Sequence, residues 1–366
     1  MRQFRFETKK FFTMAFFALS LFAFVGCDDD DDDDNVVLPD TNGTIVEVAS
    51  QSGNFSLLVA AITKVSTETD TDVAALLSGD TEYTVFAPTN AAFNAAGFPN
   101  EAAIEAADAD VLLGILTYHV ITGEVLAPNV PAGPNAMQNT LADENIFLTN
   151  RDGDVFVNGN EVSTANIQAD NGVIHEIGVV LIPSGGSNIA EIVTAEPDFS
   201  ELLRVIQYVD DNTDSDLAGA LSDAESTFTV FAPTDAAFIT ALDGADGSDT
   251  NNAIEEAELD ALGAEALLAI LQLHVVSGQV FSSDLPAPGS TIDTINENED
   301  ITYSNNDTGT SPTLLGGGNL FDDPEDDPDM GPQPAPVNIT GTNRVASNGV
   351  IHTIDGVLLT APEPTE

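Results

Sequence analysis

Four histidines, a single cysteine and a large surplus of carboxylates are the side chains in this sequence best equipped for acid–base, nucleophilic or metal chemistry, so their spacing is the first thing to weigh. His119, His175, His274 and His352 have the pKa range for proton transfer and the lone pairs for a metal. They lack companions. No HExxH, CxxC or comparable ligand cluster occurs, nor does a GxSxG elbow, a Walker loop or a dinucleotide-binding glycine signature. His119 follows Leu112, Ile115 and Leu116 at helical spacing, as His274 follows Leu267, Ile270 and Leu271, which puts each on an apolar helix face. His175 alternates with Val173 and Ile177, and His352 with Val350 and Ile354, so these two point to the core side of strands. Buried imidazoles satisfied by backbone groups are expected, with no catalytic residue. Carboxylates say little, because among 61 Asp and Glu some pairs fall at hydrolase-like separations by chance. Asp322, Asp323, Asp326 and Asp327 in DDPEDDPD are weak calcium candidates, since the run holds two prolines and lacks the glycine of an EF-hand loop. No other cofactor is expected.

The elements that position these histidines come in duplicate. TVFAPTNAAF at 84–93 returns as TVFAPTDAAF at 229–238, and three further pairs follow in the same order. These are NFSLLVAAI (54–62) with DFSELLRVI (198–206), LTYHVITGEV (116–125) with LQLHVVSGQV (271–280), and NGVIHEI (171–177) with NGVIHTI (348–354). A domain-sized period means two copies of one domain rather than a solenoid, at about 43–184 and 187–362. The short joint PSGGSN limits their separation. Within each copy, Asn54 or Asp198 is expected to N-cap a helix, with Glu201 as a capping-box partner in the second. TVFAP reads as a strand ended by Pro88 or Pro233, and Thr89 or Thr234, or the Asn90 or Asp235 beside it, is placed to cap a short helix burying Phe93 or Phe238. Asp152-Gly153 and Asn158-Gly159 signal tight turns between strands. Helices first and a sheet that closes later make an α+β pattern. The second copy is longer, mainly through DGADGSDTNN (243–252) and a Gly-, Pro- and Asp-rich segment, 304–336, read as one long inserted loop. Its Leu314, Leu315, Leu320 and Phe321 are candidates for a ligand-contact patch, or for pinning the loop to its domain.

Charge narrows the partners. The formal net charge is −53, and beyond residue 10 only Lys64, Arg151, Arg204 and Arg344 are basic. No Lys/Arg stripe can displace counterions from a phosphate backbone, so nucleic acid is excluded. The first 26 residues have the order of a secretory signal, with Arg2, Arg5, Lys9 and Lys10 ahead of the apolar run FFTMAFFALSLFAFVG. FVGC at 24–27 resembles the lipobox of bacterial lipoproteins, with Phe24 in place of the usual leucine, and this resemblance makes Cys27 the lipidated first residue. The aspartates Asp28–Asp34 resemble the surface-export signal of lipoproteins in the Bacteroidota. Together they imply an outer-membrane lipoprotein facing the cell exterior, held by an acidic leash over residues 27–42.

The paired phrases resemble the fasciclin-like domain. TVFAPTNAAF and TVFAPTDAAF are similar to its first block, LTYHVITGEV and LQLHVVSGQV to its tyrosine-histidine segment, and NGVIHEIGVVLIP and NGVIHTIDGVLLTAP to its closing block. The resemblance covers most of the chain, and it departs from the pattern where Leu273 stands opposite Tyr118. It implies two tandem α+β domains, each a β-sandwich or wedge core with helices packed around it. It also implies an adhesion or binding role toward matrix, glycan or a neighbouring cell, with surface proteins or polysaccharides as partners. Tyr118 and His119 become candidate ligand contacts. The competing readings are a surface enzyme acting on a glycan and a calcium-responsive spacer.

Overall fold

The computed structural model describes residues 43–242, 253–305, 312–316 and 336–359. The expected signal peptide, Cys27, the acidic leash, Leu320, Phe321 and Asp322 to Asp327 lie outside the described residues.

In the first half, helices α1 (Ile45–Gln51), α2 (Ser56–Glu68) and α3 (Val73–Leu77) precede strand β1 (Tyr83–Pro88). After it come α4 (Asn90–Ala95), α5 (Glu101–Ala106) and α6 (Ala109–Tyr118). Strands β2 (Val120–Thr122), β3 (Gly133–Asn139), β4 (Asn145–Arg151), β5 (Asp154–Val157), β6 (Asn160–Ala169) and β7 (Gly172–Ile177) complete it. The second half repeats the helices as α7 (Ile189–Ala195), α8 (Ser200–Asn212) and α9 (Leu217–Ser222), then β8 (Phe228–Pro233). It continues with α10 (Asp235–Leu242), α11 (Glu256–Leu262), α12 (Ala264–Leu273) and β9 (Val275–Ser277). Its remaining strands are β10 (Thr291–Ile292), β11 (Ile301–Asn305), β12 (Pro312–Leu315), β13 (Val337–Ala346) and β14 (Gly349–Ile354).

Each half builds a seven-stranded, barrel-like sheet, in the orders β2-β1-β7-β6-β5-β4-β3 and β10-β11-β12-β13-β14-β8-β9. All pairings are antiparallel except β1 with β7 and β8 with β14, which run parallel in matching registers, Phe86 beside His175 and Phe231 beside His352. The two turn signals form as read. Asp152 and Gly153 close β4–β5, and Asn158 and Gly159 close β5–β6, all four with positive φ, which suits Asp-Gly and Asn-Gly. The segment 304–336 is not one loop: Pro312–Leu315 is β12, paired with both β11 and β13.

The strand-to-helix corner also forms as read, since Thr89 and Thr234 accept from the amides of Ala92 and Ala237 and bury Phe93 and Phe238. Asn54 and Asp198 do not cap. They sit inside short 3-10 turns, Gly53–Phe55 and Pro197–Phe199, and Phe55 and Phe199 occupy the N-cap positions of α2 and α8 with no side-chain hydrogen bond. The cap comes from the repeated phrase itself: Asn90 accepts from the Leu57 amide at 2.9 Å and Asp235 from the Glu201 amide at 2.7 Å. One motif therefore caps its own helix and satisfies an orphan amide of another. Capping boxes occur one helix earlier, at Thr44/Glu47 and Asn188/Glu191.

The closing block ties sheet to helices in the same duplicated way. Buried Asn171 accepts from the Ile45 amide at 2.9 Å and donates to the carbonyls of Leu77 and Gly79; Asn348 accepts from Ile189 and donates to Leu221 and Asp223. The glycine that follows has no room for a side chain, because a Cβ on Gly172 or Gly349 would lie 1.9 Å from the carbonyl oxygen of Tyr83 or Phe228.

The halves meet in a small apolar and polar contact. Phe147 and Phe281 have ring centroids 5.6 Å apart, Arg151 pairs with Asp284 at 3.2 Å and reaches the Ser283 carbonyl, and Asn135 donates to the Gln279 carbonyl. The joint is held as well: Glu144 accepts from the amides of Ser184 and Gly185.

Candidate functional site

The four imidazoles are buried, and hydrogen bonding fixes the tautomer of each. His119 is the residue after α6, where its Nδ1 lies 2.7 Å from the Ile115 carbonyl oxygen and its Nε2 accepts from the Leu181 amide at 2.9 Å. A carbonyl can only accept, so Nδ1 carries the proton and the ring is neutral. His274 repeats this with the Ile270 carbonyl and the Leu358 amide. On the strands the tautomer is reversed. Nε2 of His175 and His352 donates to the carbonyls of Val125 and Val280, and Nδ1 accepts from the amides of Asn166 and Asn343. Each strand imidazole also stacks on a phenylalanine, Phe86 or Phe231, at 5.4 Å. Burial pushes His119, His274 and His352 down to about 4, partly opposed by their backbone hydrogen bonds, and lowers His175 for the same reason. With one nitrogen donating and the other accepting, no ring offers a free lone pair to a metal or a substrate proton.

Tyr118 and His119 were expected at a ligand surface, and the structure places them in the core, at 0% and 2% exposure. The Tyr118 hydroxyl donates to the Asn145 carbonyl at 3.0 Å and accepts from the Asn158 amide at 3.1 Å, which anchors the β4–β5 region to α6. Burial, followed by repulsion from Glu144, outweighs the Asn158 hydrogen bond and raises its pKa to about 12. Leu314 also leaves the contact set, because β12 turns it into the core beside Ile301, Val337 and Leu358. Leu315 is half-buried on the same strand. The pinning reading of the inserted segment thus holds for its described part. Among the described residues no three His, Cys, Asp or Glu side chains are placed to hold a metal ion.

The four cations beyond residue 10, which the sequence marks only as scarce, are placed individually. Lys64 is buried and bonds Glu68 and the Glu105 carbonyl; Arg204 reaches Glu201 and the Ile254 carbonyl; Arg151 bridges the halves. Arg344 sits on an irregular stretch of β13 beside a cleft, 3.5 Å from Glu196. Only its isolated charge could have marked it in the sequence.

Two tandem barrel-like domains, each closed by an NGVIH strand and a buried histidine pair, define the class of protein, and comparison with known proteins agrees. The Fasciclin domain model matches residues 53–183 and 197–360, and the chain belongs to the fasciclin family. It is 42% identical over 146 residues to protein sll1483 of Synechocystis, covering 39% of this chain and 76% of that one. It is 35% identical over 142 residues to transforming growth factor-beta-induced protein ig-h3 of Sus scrofa, covering 38% and 19%. To the cell surface glycolipoprotein MPB83 of Mycobacterium bovis it is 31% identical over 139 residues, covering 38% and 60%. Among solved structures, a FAS1 domain pair from the insect cell adhesion molecule fasciclin I aligns over 81% of this chain and 95% of that one, with 18% identity and a TM-score of 0.36.

Proposed function

We propose that this chain is a binding module for adhesion, lipid-anchored through Cys27 at the outer membrane and turned to the cell exterior, where it contacts a surface protein or polysaccharide. The observation that carries the reading is the duplicated fasciclin domain behind a basic, apolar leader that ends in FVGC and the aspartate run. A relative of known surface location, the glycolipoprotein MPB83, supports the placement. The histidines support binding over turnover, because all four are committed to backbone partners.

Two measurements test this. Cys27→Ser should release the protein from membranes into the soluble fraction; a variant that still sediments in a detergent-sensitive way overturns the lipid anchor. Adhesion of the full chain in detergent is then scored on a glycan and protein array, with and without calcium because of Asp322, Asp323, Asp326 and Asp327. A chain that binds nothing on the array and does not support cell attachment overturns the module reading.

A further inference from the structure

Between the two domains lies a cleft of about 450 Å³, within the range of small-ligand sites. One wall is the segment after β7, Gly178–Ile182, with Ala95 and Ala96 of the α4 end beside it; the other is the stretch of β13 around Arg344. Three observations converge on it.

The first is the placement of a scarce charge. In register, Arg344 opposite Ile351 is the counterpart of Ile167 opposite Ile174. Both follow an asparagine of positive φ, Asn343 or Asn166, whose amide bonds the strand histidine, so the two backbones are alike. Ile167 packs on the core of its domain. The second domain spends one of four cations at that position instead. The second observation is an unmet donor. Among the described residues the other three cations bond carboxylates and carbonyls, whereas the buried Nε of Arg344, on a side chain otherwise 42% exposed, has no partner there, and its Nη2 has Glu196 at 3.5 Å. The third is unpaired backbone. Val179, Val180 and Ile182 make no backbone hydrogen bond with any described residue, although they line the cleft and Ile182 is 37% exposed.

We propose that this cleft binds a short extended peptide, which pairs with the free backbone groups of Val179, Val180 and Ile182 and sets one carboxylate against Arg344. Strand addition draws its affinity from such unpaired main-chain groups, and a guanidinium is suited to a carboxylate. At roughly 3.3–3.6 Å per residue, about four residues match the segment. A net charge of −53 repels polyanions, so the peptide carries a single carboxylate and is otherwise neutral or basic. Among the described residues no aromatic ring lines the cleft to stack on a sugar, which favours peptide over glycan. The proposal rests on the binding-module reading and supplies it with a ligand class.

The test titrates the full chain in detergent with N-dansyl Ala-Val-Val-Ala as the free acid, as its C-terminal amide, as the amide with one internal aspartate, and as the acid with N-methylated backbone. The acid is expected to bind about tenfold more tightly than the amide, and N-methylation to abolish binding. The aspartate arm shows whether a side-chain carboxylate substitutes for the terminal one; either carboxylate source fits. In Arg344→Gln and Arg344→Ile the preference for acid over amide should vanish while the melting temperature stays unchanged, the isoleucine reproducing the first domain. Equal binding of acid and amide by the unaltered chain, a preference that survives in both variants, or Arg344-dependent binding of a uronate oligosaccharide in place of peptide overturns the proposal. Cell attachment measured in parallel separates the layers: attachment without peptide binding sinks the cleft alone, and failure of attachment sinks the module reading.

Discussion

The two domains carry the same three sequence blocks and the same imidazole geometry, yet Tyr118 of the first is Leu273 of the second, and Ile167 of the first is Arg344 of the second. Both members of the first pair are fully buried, at 0% exposure. What is kept between the domains is framework: the capping Thr89 and Thr234, the cross-capping Asn90 and Asp235, the Asn-Gly of the closing strand and the histidines that bond it to neighbouring segments. What varies is how each domain fills the space around that framework. Repetition in this chain therefore marks folding constraints, and a distinct function is better sought where the copies differ.

The hardest test of that equivalence is the closing glycine. Gly172→Ala and Gly349→Ala should each cost more than about 3 kcal/mol, because the new Cβ meets a strand carbonyl and the φ of +139° or +153° is poorly accessible to alanine. Hydrogen exchange read by mass spectrometry resolves the halves separately, and each variant should lose protection chiefly in its own domain. Protection unchanged in either would break the parallel.

The histidines should show the next largest effect, as an acid-sensitive slope shared by both domains. Their folded pKa values lie below the ordinary 6.5, at about 4 for His119, His274 and His352. The unfolded chain then binds protons first. Stability is complete above about pH 6.5, falls as pH drops toward 4, and levels off below, by up to about 3 kcal/mol per fully buried ring. His274→Asn, which keeps a donor near the Ile270 carbonyl and does not titrate, should flatten the slope in the second domain only. Urea midpoints at pH 7 and pH 4.5 decide it, and an unaltered slope there would assign the acid sensitivity to other groups.

Much of this framework was legible in the residues because it is local. Asn158-Gly159 is a two-residue turn, TVFAP is a short run of strand-favouring residues that stops at proline, and Thr89 precedes its helix by one position. The failures share a cause. Asn54 looked like a cap by position, but the amide of Leu57 is met by Asn90, from the far side of β1, and no local pattern records that contact. Leu314 sat in a glycine-rich run that reads as loop, and only pairing with β11 and β13 makes it core. Tyr118 became a candidate contact only through the family resemblance, and the partners that bury it, Asn145 at the start of β4 and Asn158 in the β5–β6 turn, come from far along the chain. Arg344 gave the opposite difficulty, since one cation in an acidic chain has no pattern until the register sets it beside Ile167.

Tyr118 offers the smallest expected effect and the sharpest distinction between framework and ligand contact. Removing its hydroxyl in Tyr118→Phe leaves the ring packing intact, but the Asn145 carbonyl loses its side-chain donor and the buried Asn158 amide loses its acceptor. Unmet groups of this kind cost about 1–2 kcal/mol, and the cost should fall on the first domain alone, since Leu273 gives the second nothing comparable to lose. Attachment of cells to the folded variant should match the unaltered protein, because the hydroxyl is spent on the interior. If attachment fell while the urea midpoint of the first domain did not move, Tyr118 would have to reach a ligand through a rearranged domain, and the difference between Tyr118 and Leu273 would become functional rather than a matter of packing.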